Sequence, residues 1–137
     1  MRNLIIKMTK ETHKALPEDM YKEHILELYK SPSNFGILKN HSHEATEYNS
    51  ICGDEITVQL SVANGIVKDA KFSGSGCVMS MVSSSLLTDK VKGMSVSSVK
   101  KLKKEDIMEL LGVKITPARI KCVLLPLEAA KKALEKR

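Results

Sequence analysis

The sequence has few of the residues on which many kinds of binding depend. Its 137 residues include no tryptophan, two phenylalanines and three tyrosines. The longest apolar runs, such as Cys122–Leu125, are far too short to cross a bilayer. Residues 1–7 carry too short an apolar run for the hydrophobic part of a secretory signal. We therefore expect a cytoplasmic protein that has no membrane partner.

The sequence also lacks aromatic residues within its basic clusters. The net charge is +6, and lysines concentrate at residues 100–104 and 131–136. Single-stranded nucleic acids are usually bound by cations together with aromatic rings that stack on bases. The clusters are more typical of solvated helix faces or of contacts with an acidic protein, so we expect no nucleic-acid partner.

The length and the residue patterns predict one α+β domain over residues 1–137. Residues 1–16 show no clear period and indicate a flexible leader. Pro17 suits the first turn of a helix, and apolar residues then recur at helical spacing. These residues are Tyr21, Ile25, Leu28 and Tyr29. The proline, asparagine and glycine of residues 31–36 predict the loop that ends this helix.

The central part of the chain has the alternation of a half-buried sheet. Residues 56–62 alternate apolar and polar side chains, Asn64-Gly65 favours a tight hairpin, and residues 66–72 supply the partner strand. Residues 45–50 form a weaker third candidate, which completes a three-stranded antiparallel meander. Helices are predicted at about 78–91, 96–102 and 104–111, and from Pro117 to the end. We expect these helices to pack on one face of the sheet.

Only three cysteines are present, Cys52, Cys77 and Cys122. In a reducing compartment an odd number of thiols favours ligands or nucleophiles over disulfides. Asp54 follows Cys52 after one glycine, on what we interpret as an exchangeable loop. Cys77 precedes a helix, whose dipole stabilises a thiolate, and Cys122 lies early in the last helix. Three thiolates and one carboxylate complete a tetrahedral zinc site.

Spacing alone leaves other interpretations open. The cysteines are separated by 24 and 44 residues, which matches no zinc-finger pattern, and small buried cysteines are common. His41 and His43 are additional candidate ligands, although loop histidines are usually solvated. The serines between residues 80 and 85 either allow close helix packing or donate hydrogen bonds near the site.

Four segments together resemble the U-type iron–sulfur cluster assembly family, which comprises IscU, SufU and the N-terminal domain of NifU. The resemblance spans about residues 18–137 and is carried by Tyr21–Gly36 with its Pro-x-Asn-x-Gly loop, Asn49–Asp54, Phe72–Ser80 and Arg119–Leu124. It implies a SufE/NifU-like fold. It also implies that Cys52, Asp54, Cys77 and Cys122 form one metal site.

The resemblance implies a SufS-like or IscS-like cysteine desulfurase as partner, which delivers sulfur as a persulfide. One expected function is a scaffold on which a transient [2Fe-2S] cluster forms before transfer to apo iron–sulfur proteins. The other is a zinc-dependent sulfurtransferase that relays sulfur without building a cluster. SufU-like chemistry makes Cys52 the first acceptor, whereas IscU-like chemistry makes it Cys122. Lys121 and Arg119 would steady the persulfide or dock the partner, unless they are only surface charges.

The chain combines features of two branches. Lys121 precedes the last cysteine as in SufU, where IscU has histidine. The interval between Cys77 and Cys122 is short as in IscU, without the SufU insertion. Residues 115–119 do not reproduce the Leu-Pro-Pro-Val-Lys segment that a chaperone reads in IscU. A basic binding module with a structural zinc is a third hypothesis, so enzymatic activity stays open. We expect a monomer or weak oligomer.

Overall fold

The computed structural model describes residues 18–51 and 53–135. These residues form an α+β fold, as predicted, in which a helix precedes a three-stranded sheet and further helices follow it. The predicted leader, residues 1–16, lies outside the described residues. The elements are α1 (Glu18–Lys30), β1 (His43–Asn49), β2 (Asp54–Ala63), β3 (Ile66–Ser75), α2 (Val78–Val91), α3 (Val96–Lys100), α4 (Lys104–Leu111) and α5 (Pro117–Glu135).

The sheet is the antiparallel meander that the sequence predicts, with strand order β1-β2-β3. Asn64 and Gly65 connect β2 to β3 with φ angles of 55° and 74°. A two-residue turn with two positive φ angles matches the twist of the strands, and Asn-Gly adopts it at low cost. The strand predicted at residues 45–50 is β1, which begins two residues earlier and ends at Asn49.

Alternate residues of the strands face the helices. Ala45, Val58 and Phe72 are paired across the three strands and are buried. The opposite face carries polar pairs such as Thr46 and Thr57, whose hydroxyl oxygens are 2.6 Å apart. Because side chains alternate along a strand, the buried face extends to the strand ends at Asn49 and Asp54.

The helices cover this face of the sheet. α5 lies across β1 and β2, while α2 packs between β3 and α5, and α1 packs on α2. Of the predicted apolar stripe on α1, Ile25 and Leu28 are buried but Tyr29 is exposed, so the stripe is narrower than predicted. The side chain of Tyr21 lies outside the described residues.

The serines of α2 are buried, and both interpretations of them hold. Ser84 Oγ donates to the Ser80 carbonyl at 2.7 Å within the helix, which leaves the helix surface small and apolar enough for close contact. Ser83 Oγ instead donates to the Val123 carbonyl of α5 at 2.5 Å. That bond fixes α2 against α5 one residue from Cys122.

The loop after α1 closes the outer edge of the sheet. The Gly36 N–H donates to the Phe72 carbonyl at 2.8 Å, and the Phe72 N–H donates to the Asn34 carbonyl at 2.9 Å. The Asn34 side chain also reaches the C-terminal part of α2. Its Nδ2 donates to Thr88 Oγ1 at 3.0 Å and Asp89 Oδ1 at 2.8 Å. The loop therefore ties β3 to α2.

Within the described part of the chain, no helix combines the length and the apolar character that crossing a membrane requires.

We predict that Asn34→Ala lowers the free energy of unfolding by about 1–3 kcal/mol, because buried Thr88 Oγ1 and exposed Asp89 both lose the amide as a hydrogen-bond donor. Urea denaturation measures the loss. Asn40→Ala is the matched control, since Asn40 has φ 59° and Asn34 has φ 65°. Equal losses in the two variants would assign the effect to backbone conformation and contradict the role of the Asn34 side chain.

Candidate metal centre

Three of the four predicted ligands meet at one end of the sheet. Asp54, Cys77 and Cys122 each offer a ligand atom, and these atoms all lie within 4.8 Å of one another. The three residues come from β2, from the position before α2 and from α5. Residues that are 23 to 68 positions apart are therefore brought together by packing of both helices on the sheet.

Asp54 is fixed within regular structure. The prediction that it lies on a loop is wrong, because it is the first residue of β2, pairs with Asn49 and is 3% exposed. Its Oδ1 accepts a hydrogen bond from the Cys77 N–H at 3.2 Å. Its Oδ2 is buried and has no hydrogen-bond partner among the described residues.

The unpaired oxygen makes the site suitable for a cation. Burying a carboxylate oxygen without a partner is unfavourable, and such atoms in folded proteins generally require an explanation. A metal ion between Oδ2 and the two sulfurs would balance the charge. Thiolate sulfur with carboxylate oxygen is a donor set that zinc accepts, and cysteine thiolates also hold iron–sulfur clusters. The residues present therefore fit either group.

Cys77 is the N-cap residue of α2, as predicted, and is partly exposed. Gly76 before it allows the close approach to Asp54. A Cβ atom at Gly76 would lie 2.2 Å from Ser80 Oγ and 3.2 Å from Asp54 Cγ. Ser80 Oγ donates to the Cys77 carbonyl at 3.1 Å. The glycine and the serine thus shape the backbone that presents Cys77.

Cys122 lies in the second turn of α5 and is 2% exposed. Asn49 Nδ2 donates to Cys122 Sγ at 3.8 Å, within the range of hydrogen bonds to sulfur. The sequence interpretation used Asn49 only as part of a motif and missed this contact. Its position, three residues before Cys52 at the end of a strand, was the only available signal.

Cys52 lies outside the described residues, so its place as the fourth ligand stays a prediction. Its neighbours form the turn between β1 and β2. The Gly53 N–H donates to the Asn49 carbonyl at 2.8 Å, and Gly53 has φ 73°, a conformation that glycine adopts without strain. Ile51 on the other side is 80% exposed. The turn is therefore tight in its backbone and open to solvent at Ile51.

Lys121 and Arg119 are both exposed on α5. Partial desolvation of the largely exposed Glu128 and the charge of Glu47 raise its pKa, while the Lys121 ammonium acts in the opposite direction. Lys121 thus interacts with a carboxylate two helical turns away. Arg119 lines a cavity of about 400 Å³ between α1, the start of α2 and the segment before α5. Their roles in sulfur transfer stay predictions.

The candidate histidines lie elsewhere. His43 begins β1 and Asn49 ends it, which separates them by about 20 Å at 3.4 Å per residue. His41 Nδ1 is 3.0 Å from the Leu38 carbonyl oxygen, and His41 Nε2 is 3.5 Å from Glu44 Oε1. These contacts hold His41 near the start of β1, at the end of the strand opposite Asn49.

We predict that Gly76→Ala weakens zinc binding about tenfold or more and destabilises the fold, because the new Cβ displaces Ser80 Oγ and presses on Asp54. Competition with a chromophoric chelator measures the affinity. The double variant Gly76→Ala/Ser80→Ala removes the severest clash and should recover most of both losses. If neither zinc affinity nor stability recovers in the double variant, the clash with Ser80 is not the cause of the losses.

We predict that Glu128→Gln stabilises the protein at pH 7. The raised pKa means that the folded state favours the protonated carboxyl, so ionised Glu128 destabilises the folded protein. This destabilisation is absent below the usual pKa of glutamate and appears as the pH rises through the pKa of Glu128 in the folded state. Urea midpoints of wild type and variant should converge near pH 4 and diverge towards pH 7. In a Lys121→Met background the difference at pH 7 should grow. A difference independent of pH would contradict the assignment.

Comparison with known proteins agrees with this arrangement. The family model described as NifU-like N terminal domain matches residues 20–136. The zinc-dependent sulfurtransferase SufU of Bacillus subtilis is 35% identical over 136 residues, which covers 87% of this chain and 92% of the relative. The iron–sulfur cluster assembly scaffold protein IscU of Thermotoga maritima is 35% identical over 133 residues, which covers 85% and 94%.

A solved structure has the same fold. The N-terminal part of a NifU-like protein from Brucella abortus superposes with a TM-score of 0.71 at 22% identity, covering 86% of this chain and 94% of that one. At that identity the likeness concerns the fold alone. The family model and the two relatives, together with the Asp54, Cys77 and Cys122 cluster, establish that the chain belongs to the NifU-like N-terminal domain family of iron–sulfur cluster assembly proteins.

Proposed function

We propose that this protein accepts sulfur from the persulfide of a cysteine desulfurase and combines it with iron as a [2Fe-2S] cluster on Cys52, Asp54, Cys77 and Cys122. The cluster is cargo, which then passes to apo iron–sulfur proteins. The buried, unpaired Asp54 Oδ2 beside two cysteine sulfurs is the observation that carries this proposal. A bound cation would give this buried oxygen the partner that it lacks among the described residues.

The sulfur step is a thiol–persulfide exchange. A thiolate of this protein attacks the outer sulfur of the desulfurase Cys–S–SH group, and a new S–S bond forms. The S–S bond within the donor breaks, and its electron pair leaves with the desulfurase thiolate. The acceptor becomes Cys–S–SH, and this transfer itself requires no external oxidant or reductant. The step therefore depends on a reachable thiolate. Converting each transferred sulfur to the sulfide of a cluster takes two electrons, which ferrous iron and a thiol reductant such as cysteine supply.

Burial favours Cys52 as the first acceptor. Cys122 is 2% exposed, so a protein-bound persulfide would reach it only after rearrangement of α5 or the turn. Cys52 follows Ile51, which is exposed, and Tyr48 in β1 is exposed as well. These two apolar side chains beside the turn form a suitable docking surface for the desulfurase. Cys122 stays the alternative acceptor.

Zinc, when bound, keeps cysteine thiols deprotonated and shields them from oxidation. The residues of this chain determine how such a site is held. Asp54 is fixed by its bond to the Cys77 N–H, and Asn49 donates to Cys122. Free thiols persist in a reducing compartment, so we place this activity in the cytoplasm.

A zinc-dependent sulfurtransferase is the second candidate function. Lys121, directly before the last cysteine, is the feature that favours it. In this case the protein relays persulfide sulfur and builds no cluster. The Bacillus subtilis relative, which is named as such a sulfurtransferase, supports this alternative.

Anaerobic incubation with ferrous iron, cysteine and a desulfurase separates the two functions. For the scaffold we expect a visible charge-transfer spectrum with about two irons and two sulfides per cluster. Cys77→Ser should strongly reduce cluster yield, because it replaces a soft thiolate ligand. Zinc that stays bound while desulfurase turnover accelerates, without the spectrum, would instead establish the relay.

Cys52→Ala tests the third hypothesis, a structural zinc in a binding module. If the metal only supports folding, the variant should unfold. We expect it to fold, because the residues on either side of Cys52, Ile51 and Gly53, are exposed. It should nevertheless lose sulfur acceptance, as measured by mass spectrometry of the persulfidated peptides. An unfolded variant in circular dichroism would contradict the proposal.

A further inference from the structure

Asn49 connects one cysteine to the turn that carries another. We propose that Asn49 is a positioning residue through which the state of the Cys122 sulfur controls the backbone at Ile51, in the turn that follows β1. This inference deepens the proposed function and rests on it, because it assigns the regulation of the same site. It concerns contacts within the chain itself.

The Asn49 side chain makes one hydrogen bond in each direction. Its Nδ2 donates to Cys122 Sγ at 3.8 Å, and its Oδ1 accepts from the Ile51 N–H at 3.2 Å. Its backbone carbonyl separately accepts from the Gly53 N–H at 2.8 Å. One residue therefore holds Cys122 and both described neighbours of Cys52.

The amide group transmits changes because it is planar and buried. Asn49 is 9% exposed, so water does not readily replace a lost partner. A buried donor without a partner is unfavourable, so the amide should rotate when Cys122 no longer accepts its hydrogen bond. Turning the planar amide also moves Oδ1 away from the Ile51 N–H.

The free energy of one hydrogen bond is large enough to change the conformation of a turn. Turns and loops open with free energies well below that of global unfolding, so the loss of one hydrogen bond shifts their populations considerably. The strand pairing that ends at Asn49 and Asp54 limits the change to the turn. Persulfide formation at Cys122, or movement of its sulfur, would thus loosen the turn through the Asn49 side chain.

The alternative is that Asn49 only stabilises the turn. Asparagine side chains often accept a hydrogen bond from the backbone two residues later, and the Ile51 bond has that form. Such a role needs no partner at Cys122. The two accounts differ in whether a change at Cys122 reaches the Ile51 N–H.

Amide hydrogen exchange at Ile51 in the full chain tests this coupling by NMR, with EDTA present so that no metal contributes. We expect Asn49→Ala to raise the Ile51 exchange rate about tenfold, as loss of roughly 1.4 kcal/mol implies. Cys122→Ala should raise it severalfold, although Cys122 does not contact Ile51 in the described hydrogen bonds. The double variant should exchange no faster than Asn49→Ala alone.

Asn49→Asp distinguishes the hydrogen bond with the Ile51 N–H from the hydrogen bond with Cys122. It keeps an oxygen for the Ile51 N–H and loses the donor to Cys122. Ile51 should stay protected in this variant, and adding Cys122→Ala should change its exchange less than twofold. Asn64→Asp makes the same chemical change in the other turn, where aspartate also suits the hairpin, and should leave the response of Ile51 to Cys122→Ala intact.

An unchanged Ile51 rate in Cys122→Ala, with a raised rate in Asn49→Ala, would overturn the coupling and leave a structural role only. Additive effects in the double variant would overturn it as well. The Gly53 N–H, bonded to the Asn49 backbone, serves as an internal reference that should change less. If Cys122→Ala does not fold, Cys122→Ser carries the same test, because its shorter C–O bond withdraws the acceptor from Nδ2. The result does not depend on cluster formation, so failure of reconstitution and failure of coupling are distinguishable.

Discussion

The hydrogen bond from the Cys77 N–H to Asp54 Oδ1 joins the sheet to the helical layer where the candidate site lies. It connects the first residue of β2 to the residue that begins α2. It occupies one carboxylate oxygen, while the other is buried without a hydrogen-bond partner among the described residues, in a side chain that meets two cysteine sulfurs. The packing of α5 across the sheet then adds Cys122. The donor set thus depends on this one contact between strand and helix.

The regular elements were predictable because each has a strong local pattern. The alternation in β2, the Asn-Gly turn and the glycine ends of the helices require no knowledge of distant residues. Asp54 was misplaced because a charged residue before a strand usually indicates solvent. In fact the alternation of Ile56, Val58 and Leu60 extends one step back and directs Asp54 inward. The Cys77 N–H, at the start of the helical layer, supplies this carboxylate with a hydrogen bond.

Contacts across long sequence distances could not be predicted. Asn34 reaches Thr88, and Asn49 reaches Cys122, over 54 and 73 residues. Both asparagines stood in motifs, but a single sequence gives no physical reason to pair them with those partners. The family resemblance identified the ligands as a set, whereas the structure distinguishes their surroundings. Asp54 and Cys122 are buried on regular elements, and Cys77 directly precedes one.

The position of Asp54 on β2 also has a consequence for how the chain tolerates insertions. The turn at residues 50–53 ends in solvent, and added residues there would leave the strands paired. A single residue inserted between Asp54 and Ile56 would instead reverse the side of the sheet on which Asp54 lies, while the hydrophobic residues beyond it kept their places. The fold would survive with its carboxylate facing water. Length variation before Asp54 should therefore leave Asp54 on the buried face, and an insertion after it should remove the carboxylate from the site without unfolding the protein.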